Sequence, residues 1–269
     1  MSDSTQPSQP VDSVAIVGHG RLDVHEAEER VRAVAEAAGV AVVAEPAEAR
    51  LAVALGGDGT ILRTLARLLG TEVPVLGVNF GRVGFLASIE PERLEDDLRR
   101  VFAGEYRVLE QPTVEARLDG ETFVAVNDVV ATSSTLGRMV ELAWAVAGED
   151  LGVVPCDGMI CSTPSGSTAY NLSNGGPVLV RGLDAMAITF IAPHSLHARP
   201  LVVPRGAEVT VRNVTPDVGA AVLVDGHRSG ELLPEASLAI RLGSQRSLLA
   251  TLPETTFFGR YRETFTSHP

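Results

Sequence analysis

Over residues 11–104 short runs of β-branched and aliphatic residues alternate with amphipathic stretches, and after Gly104 that alternation stops. Few folds suit such a switch. Strands separated by helical stretches read as an α/β layer with parallel strands. VDSVAIVG is the first expected strand, with Asp23 at a helix N-cap position and Glu26 three residues on. Val24, Ala27, Val31, Val34, Ala35 and Ala38 then recur at helical spacing, and Gly39 stops that helix. Strands are expected at 40–44, 51–55 and 74–78, with helices at 61–69, ended by Gly70, and at 91–102. Beyond Gly104 longer alternating stretches and tight turns such as Asp119-Gly120 predict a β-rich second domain, with later strands at 139–147, 187–191, 208–213, 220–225 and 237–242. The first ten residues, MSDSTQPSQP, are polar and Pro/Ser-rich and read as a disordered tail.

Composition removes whole classes of function. The 269 residues are 45% hydrophobic, enough for two cores, and the formal charge is 22 − 34 = −12 with no basic cluster to meet a phosphate backbone. Nucleic acid is therefore excluded as a partner. All 22 basic residues are arginine, which rules out a Schiff base and the lysine of a GxxxxGK[ST] phosphate loop. Cys156 and Cys161, without paired Cys/His spacing, offer neither a disulfide scaffold nor a structural metal site, and fit a reducing cytoplasm. No apolar run reaches the roughly 20 residues that span a bilayer, so no membrane partner is expected.

Chemistry gathers in a few stretches. Gly56-Gly57-Asp58-Gly59-Thr60 stands between an apolar strand and a helix, where glycines let backbone approach a phosphate and helix-start amides attract an anion. Phosphate repels a carboxylate, so Asp58 makes sense there if it holds Mg²⁺ or takes the proton of an attacking hydroxyl; the plain alternative is a helix N-cap. The run from Asp157 to Pro177 is dense in hydroxyls and glycines: Ser165, Ser167 and Thr168 suit purine edges and ribose, and Tyr170 offers a flat face for a base. Its plain alternative is an ordered loop capping a helix from Ser167. Residues 77–86 follow a strand and carry glycines, so they are expected beside the first loop at the carboxyl edge of the sheet, where open α/β sheets bind ligands. Asn127 and Asp128 end a valine-rich strand and read either as a turn or as groups for a base and a sugar diol.

Together these stretches resemble the NAD kinases. GGDGT at 56–60, LGVNFGRVGFLA at 76–87, NDVV at 127–130, DGMICSTPSGSTAYNLSNGGPVL at 157–179, APHSLHARPLVVP at 192–204 and VDGH at 224–227 follow the family's order and approximate spacing. Diacylglycerol-type lipid kinases share GGDGT, and the 157–179 segment separates this chain from them.

The resemblance implies a phosphofructokinase-like α/β N-terminal domain (11–104), a β-rich NAD-binding domain (105–246), a C-terminal segment (247–269) returning to the first, and a site in the cleft between them. The aromatic group Phe257, Phe258, Tyr261 and Phe265 is expected to be buried there. It implies phosphorylation of the 2′-hydroxyl of the adenosine ribose of NAD by ATP or polyphosphate with Mg²⁺, in the cytoplasm, by a homodimer or homotetramer. Asp58 would be catalytic, and Gly56, Gly57 and Gly59, with Arg63 a turn later, would meet phosphate oxygens. Asn127, Ser165 and Thr168 would bind adenine and its ribose and Tyr170 would lie against the base, while Asp128, Asp157, Ala169, Ser173 and Phe85 would line the rest of the NAD site. Asp128 replaces the family's usual glutamate, and His227 stands where glutamine is frequent; it would face the dinucleotide or be an exposed turn residue. The rival readings are a diacylglycerol-type lipid kinase and a non-catalytic NAD(P)-sensing module.

Overall fold

The structure, a computed structural model, describes residues 5–7, 9–18, 22–81 and 84–266; His19, Arg82, Val83 and His268 lie outside the described residues. The first elements are β1 (Thr5–Pro7), β2 (Ser13–Gly18), α1 (Leu22–Ala37), β3 (Ala41–Val43), β4 (Leu51–Gly56), α2 (Asp58–Arg67), β5 (Val75–Asn79), α3 (Leu94–Phe102) and β6 (Arg107–Leu118). There follow β7 (Glu121–Ala125), β8 (Asp128–Ser133), β9 (Val140–Val146), β10 (Glu149–Cys156), β11 (Gly158–Ser162), α4 (Tyr170–Ser173), β12 (Ala185–Ile191) and β13 (Leu201–Pro204). The chain ends through β14 (Val209–Asn213), β15 (Ala220–Val224), β16 (His227–Leu232), β17 (Ser237–Thr251) and α5 (Phe257–Phe265). It divides into two compact units, Met1–Gln111 with Arg246–Pro269, and Pro112–Gln245.

In the first unit β3, β2, β4, β5 and the end of β17 lie side by side and parallel. Every residue of β4 and β5 is buried, as expected of central parallel strands covered on both faces. Ala27, Val31, Val34 and Ala35 of α1 share one core with Leu94, Leu98 and Val101 of α3 and with Val14, Val53, Leu76 and Val78 of the strands. The two helices are also joined by a fork: Arg30 Nε and Nη2 donate to the two Glu95 oxygens at 2.6 and 2.8 Å, which holds that carboxyl down at about 2. Helix α1 starts at Leu22, so Asp23 lies inside its first turn and not at its cap. Pro91–Arg93 form a single 3-10 turn before α3, with proline at the start, where its missing N–H costs nothing. Thr5–Pro7, expected within a disordered tail, instead form a short strand paired antiparallel with Arg107–Leu109, whose backbone bonds need no apolar pattern in the tail.

The C-terminal aromatics depart from expectation. No residue of α5 is buried, and Phe258 is 68% exposed. Phe257, Tyr261 and Phe265 share one helical stripe, with ring centroids 6.4 and 4.9 Å apart along it, and the stripe rests on Phe85, a ring too small to bury all three. Phe258 is turned about 100° away from that stripe.

The second unit is antiparallel. One sheet runs β13-β12-β11-β8-β15-β16, and β10, β9, β14 and the first part of β17 pair in that order in another. Val140, Leu142 and Trp144 of β9 share a core with Met159 and Cys161 of β11 and Met186, Ile188 and Phe190 of β12; the Trp144 and Phe190 rings meet edge to face at 5.3 Å. Asp119 (φ 51°) and Gly120 (φ 85°) turn β6 into β7 with Leu118 opposite Glu121, the left-handed pair that a two-residue hairpin requires. Strands β10, β11, β13 and β16 were not anticipated, and β17 runs on to Thr251. Three of them lie at sheet ends, where EDLGVVPC and HRSGEL need no apolar period. Among the described residues no helix is long and apolar enough to cross a membrane.

Gly158 on β11 is wedged against β8: a Cβ there would lie 2.4 Å from the Ala131 carbonyl oxygen and 2.9 Å from Thr132 Cα, both backbone. Gly158→Ala is expected to destabilise the second unit by about 1–3 kcal/mol, the usual range for overpacking. Urea unfolding checks this; an unchanged midpoint would show that β8 yields.

Candidate functional site

Each unit carries one part of the predicted site. In the first, β4 delivers Gly56 and Gly57 to the start of α2, whose N-cap is Gly57, with no side-chain cap bond. Asp58 is thus the first helical residue, which removes the N-cap alternative. Its carboxylate instead accepts the Phe85 amide at 2.8 Å and the Leu86 amide at 3.2 Å. A carboxylate offers about four acceptor positions, so two bonds leave room for a further hydroxyl or ion. Gly84 makes the approach possible: any Cβ there would lie 2.4 Å from Asp58 carboxylate atoms.

The two glycine loops are neighbours, as the sequence leads one to expect. Phe80 N donates to Gly56 O at 3.2 Å, and a Cβ on Gly81 would sit 3.3 Å from Gly57 Cα. Thr60 N closes the first turn onto Gly57 O at 2.9 Å, and at the helix start the Asp58 and Gly59 amides, for which an α-helix supplies no acceptor, present positive charge. Arg63 donates to Thr60 Oγ1 at 3.3 Å, and a Cβ on Gly59 would lie 3.8 Å from its Nη1, so the guanidinium is beside the loop. Phe85 is buried, its ring against Phe257 and Phe265.

In the second unit Asn127, Asp128, Ser162–Ser167 and Asp225–His227 gather at one end of the β15-β8-β11 strands, where Asp128 pairs with Ser162 and Val129 with Val224. Asp225 organises them. Its carboxylate accepts the amides of Val126 at 2.8 Å, Asn127 at 2.7 Å and Asp128 at 3.2 Å. Asn127 O accepts the Thr163 amide at 2.8 Å, and a Cβ on Gly166 would lie 2.2 Å from that oxygen. The Asn127 side-chain oxygen and the Ser165 hydroxyl are both buried without a hydrogen-bond partner. Buried polar groups are normally satisfied, so these two are candidate partners for a polar ligand.

Behind them Asn171, fully buried, donates to Ser167 O and Pro177 O at 3.0 Å each and accepts the Thr189 hydroxyl at 2.7 Å, stitching the hydroxyl-rich run to β12. Thr168 donates to Ser165 O at 3.2 Å in a 3-10 turn, Ala169 and Tyr170 follow exposed, and Ser173 is exposed at the end of α4. The expected helix from Ser167 is therefore one 3-10 turn followed by one α turn. His227 is exposed after the Asp225-Gly226 turn and favours the charged form of Asp225. Asp157 is not brought to this cluster: it precedes β11, beside Thr132 and Ser133, at the end opposite Ser162.

Burial pushes the Asp128 carboxyl up to about 7, with the nearby Asp225 charge adding to the rise. Asp225 is also raised by burial, against the pull of its three amides. Cys156 and Cys161 are free and buried, and burial pushes both thiols up to about 12, so neither is a thiolate nucleophile near neutral pH.

Residues 17–106 match the ATP-NAD kinase N-terminal domain and residues 126–252 the ATP-NAD kinase C-terminal domain. The chain belongs to the NAD kinase family. It is 42% identical over 218 residues to the NAD kinase of Heliobacterium modesticaldum, covering 79% of this chain and 77% of that one. The NAD kinase of Gemmatimonas aurantiaca is 38% identical over 216 residues, 78% and 75% of the two chains. Among solved structures, an Archaeoglobus fulgidus NAD kinase in complex with ATP superposes with a TM-score of 0.78 at 28% identity, over 93% of this chain and 98% of the other. Yeast NADH kinase complexed with NADH shares the fold at a TM-score of 0.87 and 22% identity, over 97% and 89%. Gly84, Asn171 and Asp225 have no role of their own in the sequence reading, although each lies in a stretch it singles out: 77–86, 157–177 and 224–227.

The Asp128 carboxyl binds its proton more tightly folded than unfolded, where its pKa is near 4. The stability it contributes is complete below that value and is lost as pH rises through about 7. Asp128→Asn is expected to flatten this part of the pH profile and to leave the protein more stable than wild type at pH ~8. Thermal melts across that window check it; parallel profiles would remove Asp128 as the titrating group.

Proposed function

We propose that this chain is an NAD kinase, transferring the terminal phosphoryl group of ATP or polyphosphate to the 2′-hydroxyl of the adenosine ribose of NAD. The observation that carries this reading is the pair of buried, unpartnered groups Asn127 Oδ1 and Ser165 Oγ, in a chain whose other unit holds the GGDGT loop. An adenine amino group suits Asn127 Oδ1 as donor, and a ring nitrogen or ribose hydroxyl suits Ser165. Thr168, bonded to Ser165 O, keeps its lone pairs for the ribose, and the exposed Tyr170 ring stacks on the base. Asp128, Ala169, Ser173 and His227 line the remainder, with Asp128 shorter by a methylene than glutamate and reaching a diol through water. Asp157 lies apart from this cluster within one chain, beside Thr132 and Ser133.

Gly56, Gly57 and Gly59 let backbone amides meet phosphate oxygens at the start of α2, with Arg63 adding charge. Mg²⁺ would arrive on the donor phosphates, because it keeps several waters and needs few protein ligands. Among the described residues no group of three or more His, Cys, Asp or Glu side chains stands ready to hold a metal. When bound, the ion neutralises charge on the donor. Asp58 accepts the proton of the 2′-hydroxyl as the oxygen forms its bond to the terminal phosphorus and the bond from that phosphorus to the leaving ADP, or shortened polyphosphate, breaks. The amides of Phe85 and Leu86 keep that carboxylate oriented. The reading places the enzyme in the cytoplasm as a homodimer or homotetramer. The match to both NAD kinase domains favours this reading over a lipid kinase, and NADP formation separates it from a non-catalytic sensing module.

Purified protein with NAD and Mg²⁺ is expected to form NADP with ATP, polyphosphate or both. Asp58→Asn should cut turnover by about 10²–10⁴-fold, the range for a lost general base, while NAD still binds. Unchanged turnover would remove Asp58 from the chemistry. Tyr170→Ala is expected to weaken NAD binding by about 1–3 kcal/mol in calorimetry, as for base stacking on aromatics.

A further inference from the structure

We infer that Arg260 of α5 is a positioning residue for catalysis, holding the 84–90 segment so that its amides present Asp58 in a fixed orientation; this rests on the reading of Asp58 given above. Arg260 is 12% exposed and serves three acceptors: Ala87 O at 2.9 Å from Nη2, and Glu90 Oε1 at 3.4 Å and Glu263 Oε2 at 3.2 Å from Nη1. Two of these lie on the segment that follows Phe85 and Leu86, the donors to Asp58.

The same guanidinium reaches the glycine loop by a second route. Glu90 Oε2 accepts Asn79 Nδ2 at 3.1 Å, and Asn79 Oδ1 accepts the Gly81 amide at 3.1 Å. Asn79, the last residue of β5, pairs with Gly56, and the next residue, Phe80, donates to Gly56 O. Phe257 and Phe265 of α5 grip the Phe85 ring from the same helix. Helix α5 therefore holds the segment at Phe85, Ala87 and Glu90, while Ser88 and Ile89 are pinned to Gly77 O at 3.0 and 3.2 Å. The contacts of Arg260 are polar bonds, and one planar fork makes them together. Aimed groups are sensitive to such anchors, because a displacement of about 1 Å at the reacting centre can cost about 10²-fold in rate.

The test uses the full chain and two readouts. Arg260→Ala is expected to lower kcat by about 10–100-fold while KM for NAD moves less than about threefold, because recognition of NAD lies with the second unit's residues. Hydrogen exchange at the Phe85 and Leu86 amides should quicken while peptides from β4 and α2 stay protected. Arg260→Lys, which keeps the charge but not the fork, should fall between alanine and wild type. If Arg260→Ala fails to fold, Glu90→Ala breaks the same connection from the other side and should show the same split. Unchanged kcat and exchange would overturn the inference, as would exchange rising throughout the first unit with lysine no better than alanine. Wild-type protein that makes no NADP would refute the proposed function instead, and exchange alone would then decide whether Arg260 holds the segment.

Discussion

Asp58 accepts two backbone amides and Asp225 accepts three, and the loops that carry the candidate site take their shapes from those five bonds. Bonds to a charged acceptor are worth about 1.5–3 kcal/mol each, more than a neutral pair, and they bind backbone rather than mobile side chains. Strand ends leave amides without ladder partners, and a carboxylate placed among them satisfies several at once.

That solution dictates the glycines around it. Gly84 and Gly166 stand where a Cβ would meet Asp58 or the Asn127 carbonyl at 2.4 and 2.2 Å, so in both units backbone packs against the site's anchor with no side chain between. It also sets the electrostatics of the second unit. Burial raises the Asp128 carboxyl to about 7, and the Asp225 carboxylate alongside, bonded to three amides, adds to that rise. An acid in that state switches between donor and acceptor near neutral pH, suited to a diol whose hydroxyls can do either.

The sequence disclosed what depends on local chemistry. The α/β alternation, the buried β4 and β5, the Asp119-Gly120 hairpin and the proximity of the two glycine loops were all legible, because aliphatic runs and turn residues act within a few positions of themselves. What escaped depends on partners far along the chain. Asp58 looked like a helix cap or an acting carboxylate, and its bonds to Phe85 and Leu86 lie 27 and 28 positions away. Asp225 reaches amides 97 to 99 positions back, and no period or motif announces that. Edge strands such as β10 and β16 were hidden for the opposite reason: open to solvent, they need no apolar pattern.

The absence of lysine acquires a structural meaning in this light. Arg30 grips both oxygens of Glu95, Arg100 both of Glu254 and Arg205 both of Asp184, geometries that a single ammonium cannot reproduce. Exposed pairs of this kind add at most about 1 kcal/mol each, so their stabilising effect is modest. Their geometric effect is larger where the fork is shielded. Arg260, nearly buried, spans a carbonyl and two carboxylates from one plane and ties a C-terminal helix to the segment that bonds Asp58. Replacing it by lysine would keep the charge and lose the plane, which separates orientation from electrostatics at this site.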